Sequence, residues 1–113
     1  MIRHDFNVKQ EPRAFEDLTY LQLIDMIEVI ADPESEEEII AYYASIIDYT
    51  LPGSEVSDLI LWPEEWFQDK KMREIDLSSQ EIANYLLAWT QKQLPGSEKI
   101  TLPIIPDSKK RNH

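Results

Sequence analysis

The sequence predicts an all-α fold, a small antiparallel four-helix bundle with a very short third helix. Three segments repeat apolar residues at the i, i+3, i+4, i+7 spacing of amphipathic helices, and turns containing Pro and Gly separate them. No two segments have the pattern of paired strands. The 113 residues suffice for one domain with a modest core. We divide the chain into an N-terminal extension (residues 1–14), a helical domain (15–94) and an extended C-terminal tail (95–113).

The first helix is predicted from about Asp17 to Ile30, with Glu16 or Asp17 as its N-terminal cap. Its apolar stripe, which we expect in the core, consists of Tyr20, Leu23, Ile24, Ile27 and Ile30.

The second helix is predicted from Ser35 to about Tyr49. Ser35 and Glu38 have the spacing of a capping box, and acidic residues in the first turn suit the helix dipole. More than one face is apolar, through Ile39, Ile40, Tyr42, Tyr43, Ile46 and Ile47. This helix therefore either lies centrally in the bundle or presents a binding flank.

The third helix is predicted between Ser57, as its N-cap, and Pro63, which ends it. A helix this short cannot bury all of residues 59–62 on one side. Some of them should face outward, and an exposed Trp62 beside a carboxylate is typical of a protein-binding site.

The rest of the chain is predicted as a charged loop (64–75), a helix capped by residues 76–79 that ends near Gln93, and the tail. We expect Trp66 and Phe67 to pin the loop to the domain, although presentation to a partner stays open. The last helix carries the stripe Ile82, Tyr85, Leu86 and Trp89. In the tail, residues 101–106 are expected to be strand-like, and 109–111 to form a frayed basic end. The pentapeptide at 51–55 recurs at 94–98, which indicates two similar helix terminators.

Charge is distributed unevenly along the chain. The net charge is −11, and between Ala14 and Asp69 there is no Lys or Arg, whereas 15 of the 22 acidic residues lie there. A field of one sign attracts a basic partner and speeds its association. Nucleic acid is excluded as a direct ligand because its phosphates would be repelled.

The sequence favours a binding protein over an enzyme. It has no cysteine, and its two histidines, His4 and His113, lie at the ends of the chain. The acidic runs lack the pattern of a calcium loop. We therefore predict no catalytic residue, no metal and no cofactor. With no apolar run of membrane-span length and no signal-peptide pattern, we expect a cytoplasmic protein without membrane contact.

Several of these features together resemble the immunity proteins of nuclease colicins and S-type pyocins. They are the capped start of the second helix (35–40), the Pro-Gly turn, the segment 57–63 with its aromatic before proline, and a last helix ending in Trp89. The likeness covers Phe15 to Trp89. It implies a monomer when free that binds the basic cytotoxic nuclease domain of its cognate bacteriocin. Such a protein fills a site beside the catalytic cleft, and it excludes nucleic acid by charge and bulk without occupying the catalytic residues.

The resemblance also implies the binding residues. The family's third helix provides an Asp and two consecutive tyrosines, which correspond here to Asp58, Leu61 and Trp62. Its second helix provides the residues that select the partner, corresponding to Glu36, Ile39, Ile40, Tyr43, Ala44 and Ile47. Because Leu61 and Trp62 replace the tyrosine pair, the partner is left open among a DNase, an RNase and another killing domain.

Two other functions stay open. Acyl carrier proteins are also acidic, small and four-helical, but their attachment motif is Asp-Ser-Leu, whereas residues 57–59 read Ser-Asp-Leu and Pro63 stops the helix early. A generic acidic adaptor would bind a protein partner without protecting against a toxin.

Overall fold

The computed structural model describes residues 18–110, and this part of the chain is helical without any strand, which confirms the all-α prediction. The helices are α1 (Tyr20–Ala31), α2 (Glu37–Thr50), α3 (Val56–Leu61), α4 (Pro63–Phe67), α5 (Ser79–Thr90) and α6 (Asp107–Lys110), with a 3₁₀ turn at Lys70–Met72. The four predicted helices correspond to α1, α2, α3 and α5. The short helices α4 and α6 were not predicted, and the N-terminal extension (1–14) lies outside the described residues.

Helix α1 begins later than predicted because Thr19 provides its cap. The Thr19 hydroxyl accepts from the Gln22 N–H at 3.1 Å, and the Gln22 side chain accepts from the Thr19 N–H at 2.9 Å. This reciprocal capping box satisfies two N–H groups at the helix start. The expected caps, Glu16 and Asp17, lie outside the described residues. The predicted stripe is buried, apart from Ile24, which is half-buried.

Helix α2 lacks the capping box that the sequence predicted. It begins at Glu37 with Glu36 as its cap, and no side chain completes that cap. The Ser35 hydroxyl instead donates to the carbonyl of Val29 at 2.7 Å, so it ties the connection back to α1. Buried Tyr43 and Ile47 face the core, and α2 packs against α1 and α3.

The third helix starts earlier than predicted but ends before Pro63, as predicted. Its cap is Glu55, in the left-handed conformation at φ 53°, and Ser57 is already inside the helix. Pro63 is the first residue of α4, a position where its missing N–H costs nothing. Trp66 and Phe67 are buried, which confirms that they pin the predicted loop to the domain.

Helix α5 starts as predicted. The Ser78 hydroxyl accepts from the Glu81 N–H at 3.1 Å, and the Glu81 side chain accepts from the Ser78 N–H at 2.9 Å. The helix ends at Thr90, before the predicted end at Gln93, because Gln91 adopts the left-handed conformation at φ 56°.

The two copies of the repeated pentapeptide form similar turns. In each, the Ser N–H donates to the Leu carbonyl three residues earlier, at 3.0 Å in 51–55 and 2.9 Å in 94–98. Gly53 and Gly96 have φ of 84° and 95°, as the third position of a Pro-Gly turn requires. The first copy follows α2 directly, and the second follows α5 after a short connection.

The C-terminal tail packs against the domain. Residues 101–106 form no regular structure, but Ile105 is buried, and α6 contacts α4. The expected frayed basic end is wrong for Lys109, whose side chain is 2% exposed because it inserts between aromatic rings. Arg111 lies outside the described residues.

Candidate protein-interaction face

Leu61 and Trp62 at the end of α3 are exposed. The short length of this helix predicted that some of its apolar side chains would face outward. Val56 and Leu59 are buried, whereas Leu61 is 60% and Trp62 57% exposed. Asp58 is half-buried and lies one turn before Trp62, whose N–H donates to the Asp58 carbonyl at 2.7 Å. We call the surface formed by Asp58, Leu61 and Trp62 the α3 face. It combines an aromatic ring, an aliphatic side chain and a carboxylate within one turn.

The backbone that carries Trp62 is held from both sides. Trp62 ends α3 and is also the cap of α4, and its carbonyl accepts from the N–H groups of Glu65 at 2.9 Å and Trp66 at 3.1 Å. Helix α3 itself contacts α1, α2, α4 and α5. The exposed indole therefore projects from a backbone with fixed hydrogen bonds, which reduces the conformational entropy that binding would cost.

The structure divides the predicted residues of the second helix. Glu36 is exposed, and Ile39 and Ile40 are half-buried, so these three remain accessible to a partner. The others, Tyr43, Ala44 and Ile47, are buried in the core. Their placement on a partner-contacting surface is therefore wrong for this structure.

Tyr43 shows the reason for that division. The sequence could not assign the excess apolar residues of this helix to one face, and in the structure α1 and α3 both cover α2. Burial raises the pKa of the Tyr43 hydroxyl, with a further contribution from Tyr42. Tyr43 is therefore a neutral core residue near pH 7.

Acidic residues surround the start of α2. Glu36, Glu37 and Glu38 are exposed, and none forms an ion pair among the described residues. Glu64 differs, because its carboxylate lies 3.5 Å from the guanidinium of Arg73. Most of the acidic charge contributed by residues 18–69 is thus available to attract a cation from outside the domain.

The buried cation Lys109 lies beside Glu55, the cap of α3. The Lys109 ammonium is 4.0 Å from a Glu55 carboxylate oxygen. Burial lowers the pKa of Lys109, and the carboxylates of Glu55 and Asp58 oppose that change.

A second exposed aromatic was missed in the sequence. Tyr49 is 56% exposed at the end of α2, and together with Ser45, Asp48 and Pro52 it lines an open depression. Helical geometry could have indicated it, because position 49 lies about 200° around the helix from buried Ile47.

Within residues 18–110, no three His, Asp or Glu side chains are grouped so that they could hold a metal ion. In the same part of the chain, no helix has both the length and the apolar character of a membrane span.

Comparison with protein-family models, curated proteins and solved structures gives no match for this chain.

Proposed function

We propose that this chain is a bacteriocin immunity protein. It binds and inhibits the cytotoxic nuclease domain of a cognate colicin- or pyocin-type toxin through an acidic surface on α2 and α3. It blocks the access of nucleic acid without occupying the catalytic residues, and it acts in the cytoplasm, as a monomer until it meets the toxin. The observation that carries this proposal is the exposed Leu61–Trp62 pair beside Asp58, in a region without basic residues up to Asp69.

The apolar part of the α3 face supports tight binding to a protein. A tryptophan that is 57% exposed leaves much apolar surface in water, and tryptophan is enriched among the residues that dominate binding energy. Leu61 extends this surface, and Asp58 can accept hydrogen bonds at its edge. An aromatic anchor with an adjacent carboxylate suits a pocket that offers an apolar wall and a Lys or Arg.

The acidic part supports a basic partner. A nuclease domain must carry positive charge to bind nucleic-acid phosphates, so it is attracted to the exposed carboxylates of this chain. Once bound, the same carboxylates repel the nucleic acid. Inhibition therefore does not require that any side chain enter the catalytic centre.

Helix α2 contributes the accessible residues that select the partner. Glu36 is exposed, and Ile39 and Ile40 are half-buried at the side of the helix. Tyr43, Ala44 and Ile47 affect recognition only indirectly, because they set how α2 packs on the core.

The acyl-carrier alternative gains no support from the α3 geometry. Ser57 is half-buried in the first turn of α3, a helix of only six residues.

The decisive experiment first identifies the gene beside this one and, where that gene encodes a bacteriocin nuclease, uses this nuclease. We expect co-expression of this chain to protect sensitive cells from that nuclease, and the two proteins to co-purify. The matched control is Trp62→Ala, which should protect less at the same expression level. Absence of both protection and co-purification would rule out the immunity function, whereas co-purification without protection would indicate an adaptor.

The mode of inhibition can be tested on the purified complex. If the chain blocks access and leaves the catalytic residues free, cleavage of a polynucleotide should stop. Cleavage of a small phosphodiester substrate, which needs little of the basic surface, should continue. Loss of both activities would show that the catalytic centre itself is occupied.

A further inference from the structure

Among residues 18–110, Lys109 is the one charged side chain that is buried. Its ammonium nitrogen lies 3.9 Å from the ring centroid of Trp66 and 4.4 Å from that of Trp89. It also donates a hydrogen bond to the Trp66 backbone carbonyl, with 2.9 Å between Nζ and the oxygen. We call the Trp66 and Trp89 rings with the Trp66 carbonyl the aromatic cage.

The same part of the tail caps helix α4. The carbonyls of Trp66 and Phe67 lie in the last turn of this helix, where no intrahelical N–H can reach them. The Lys109 ammonium donates to the first carbonyl, and the Ser108 hydroxyl donates to the second at 2.6 Å. Two adjacent residues that are distant in sequence thus complete the C-terminus of α4.

The chemistry of the cage suits a primary alkylammonium group. Ring faces attract a cation through their quadrupoles, and a carbonyl accepts one of its three N–H bonds. The carboxylates of Glu55 and Asp58 add attraction from the start of α3. Lys109 therefore links four elements: its own segment, the end of α4, the end of α5 and the start of α3.

We propose that the aromatic cage is an ammonium-binding site whose ligand is the chain's own Lys109, so that residues 105–110 form a latch on α4. Buried Ile105 is the latch's apolar contact, whereas Ile104 is 87% exposed. The latch connects the end of α4, at Trp66 and Phe67, with the start of α3, at Glu55. This inference concerns the free protein and does not depend on the proposed function.

The latch is tested by hydrogen exchange in full-length variants. Lys109→Ala should accelerate exchange of the amides in residues 65–69 by about tenfold, because a buried carbonyl loses its donor. It should also change the tryptophan emission spectrum, since two of the three tryptophans form the cage. Lys110→Ala, at the exposed neighbouring position, should do neither. Unchanged exchange in Lys109→Ala would overturn the latch.

Lys109→Met serves as a second variant, because it retains an unbranched side chain as far as Cε, and therefore most of the packing, but lacks the ammonium group. We expect it to fold and to show the same acceleration of exchange in α4. If its exchange and its emission match those of the parent chain, the ammonium has no role and the proposal is wrong.

The chemical class of the ligand is tested by rescue. Lys109→Ala lacks three carbons and the amine, so n-propylammonium chloride should raise its melting temperature more than equal concentrations of NaCl or 1-propanol. The parent chain and Lys110→Ala should respond equally to all three. If n-propylammonium does no better than 1-propanol or NaCl on Lys109→Ala, the site is not an ammonium site.

Discussion

Trp62 and Asp58 are the residues on which the proposed function depends most. Trp62 is an exposed indole on a backbone with fixed hydrogen bonds, and Asp58 lies one turn away in the same short helix. A buried aromatic anchor and a desolvated carboxylate are the groups whose removal weakens an interface most.

We therefore expect Trp62→Ala or Asp58→Ala to weaken the complex with the nuclease domain by about 2 kcal/mol or more. The measurement is the dissociation constant by calorimetry, with thermal unfolding of each free variant to exclude a folding defect. Tyr49→Ala is the matched control, since Tyr49 has nearly the same exposed fraction as Trp62 but lies outside the α3 face. If Tyr49→Ala weakens binding and Trp62→Ala does not, the partner contacts the end of α2 instead.

Tyr43 illustrates how burial changes the role expected of a residue. The family resemblance placed it on the partner-contacting flank, but the structure buries it completely. Its hydroxyl has a raised pKa, chiefly through burial. The folded state therefore keeps this proton at pH values where the unfolded chain, with a pKa near 10.0, has lost it.

That difference predicts a loss of stability in alkali. As the pH rises above about 10, the unfolded state binds fewer protons than the folded state, so the free energy of unfolding should fall. Tyr43→Phe removes this contribution. Urea unfolding at pH values from about 9 to about 11 should show a steeper fall for the parent than for the variant. Parallel curves would mean that Tyr43 ionises as freely in the folded state as in the unfolded chain.

At the scale of elements, the repeated pentapeptide builds two turns that other parts of the chain hold in place. The indole N–H groups of Trp66 and Trp89 donate to the carbonyls of Ser54, at 2.7 Å, and Gly53, at 3.2 Å. In the second copy, the Pro95 carbonyl accepts from the N–H of Tyr20 at 2.8 Å. Each turn thus joins the end of one helix to a distant element.

The positive φ of both glycines predicts the cost of adding a side chain. Gly53→Ala should destabilise the fold by about 1 kcal/mol through backbone strain, because no atom lies within 4 Å of the added Cβ. Gly53→Asn should cost less, since asparagine tolerates this conformation better. Urea unfolding of both variants measures the difference. Equal losses would indicate that the strain is not in the backbone.

The corner at Trp62 is the element-scale feature that links the fold to the proposed interface. Pro63 begins α4 directly after α3 ends, so the two short helices share Trp62 as end and cap. Trp66 and Phe67, on α4, are buried. Their rings are arranged edge to face, with 4.9 Å between the ring centroids. Burial of these rings anchors the corner, which leaves the Trp62 ring on the outside.

At the scale of the whole molecule, the distribution of charge is the dominant feature. The region from Ala14 to Asp69 contains acidic residues and no Lys or Arg, and the net charge of the chain is −11. Such a field acts over distances comparable to the Debye length, so it speeds encounters with a basic protein more than it slows their dissociation.

We therefore expect association with the nuclease domain to be strongly dependent on salt. Stopped-flow measurements should show the association rate falling at least tenfold between about 0.05 and 0.5 M NaCl, with a much smaller change in dissociation. Trp62→Ala should keep this salt dependence while dissociating faster, because it removes an apolar contact and no charge. An association rate independent of salt would contradict charge steering.

Local patterns in the sequence determined much of this fold. The stripe in α1, the capping box at Ser78 and the exposure of Leu61 and Trp62 all follow from residues close together in the chain. Helical spacing and capping hydrogen bonds depend on residues within a few positions of each other. The same is true of helix length, which limits how many apolar side chains a short helix can bury on one side. The acidic field is also a property of the sequence, because it depends on composition and not on packing.

Only the tertiary structure decided which groups find distant partners. Ser35 bonds to Val29 instead of capping α2, Tyr43 is buried, and Lys109 inserts between the rings of Trp66 and Trp89, 43 and 20 residues earlier in the sequence. The hydrogen bonds of a hydroxyl, a phenol or an ammonium can be made to a nearby residue, to solvent or to a distant group. The sequence pattern is the same in each case. The choice depends on which surfaces the packed helices bring together.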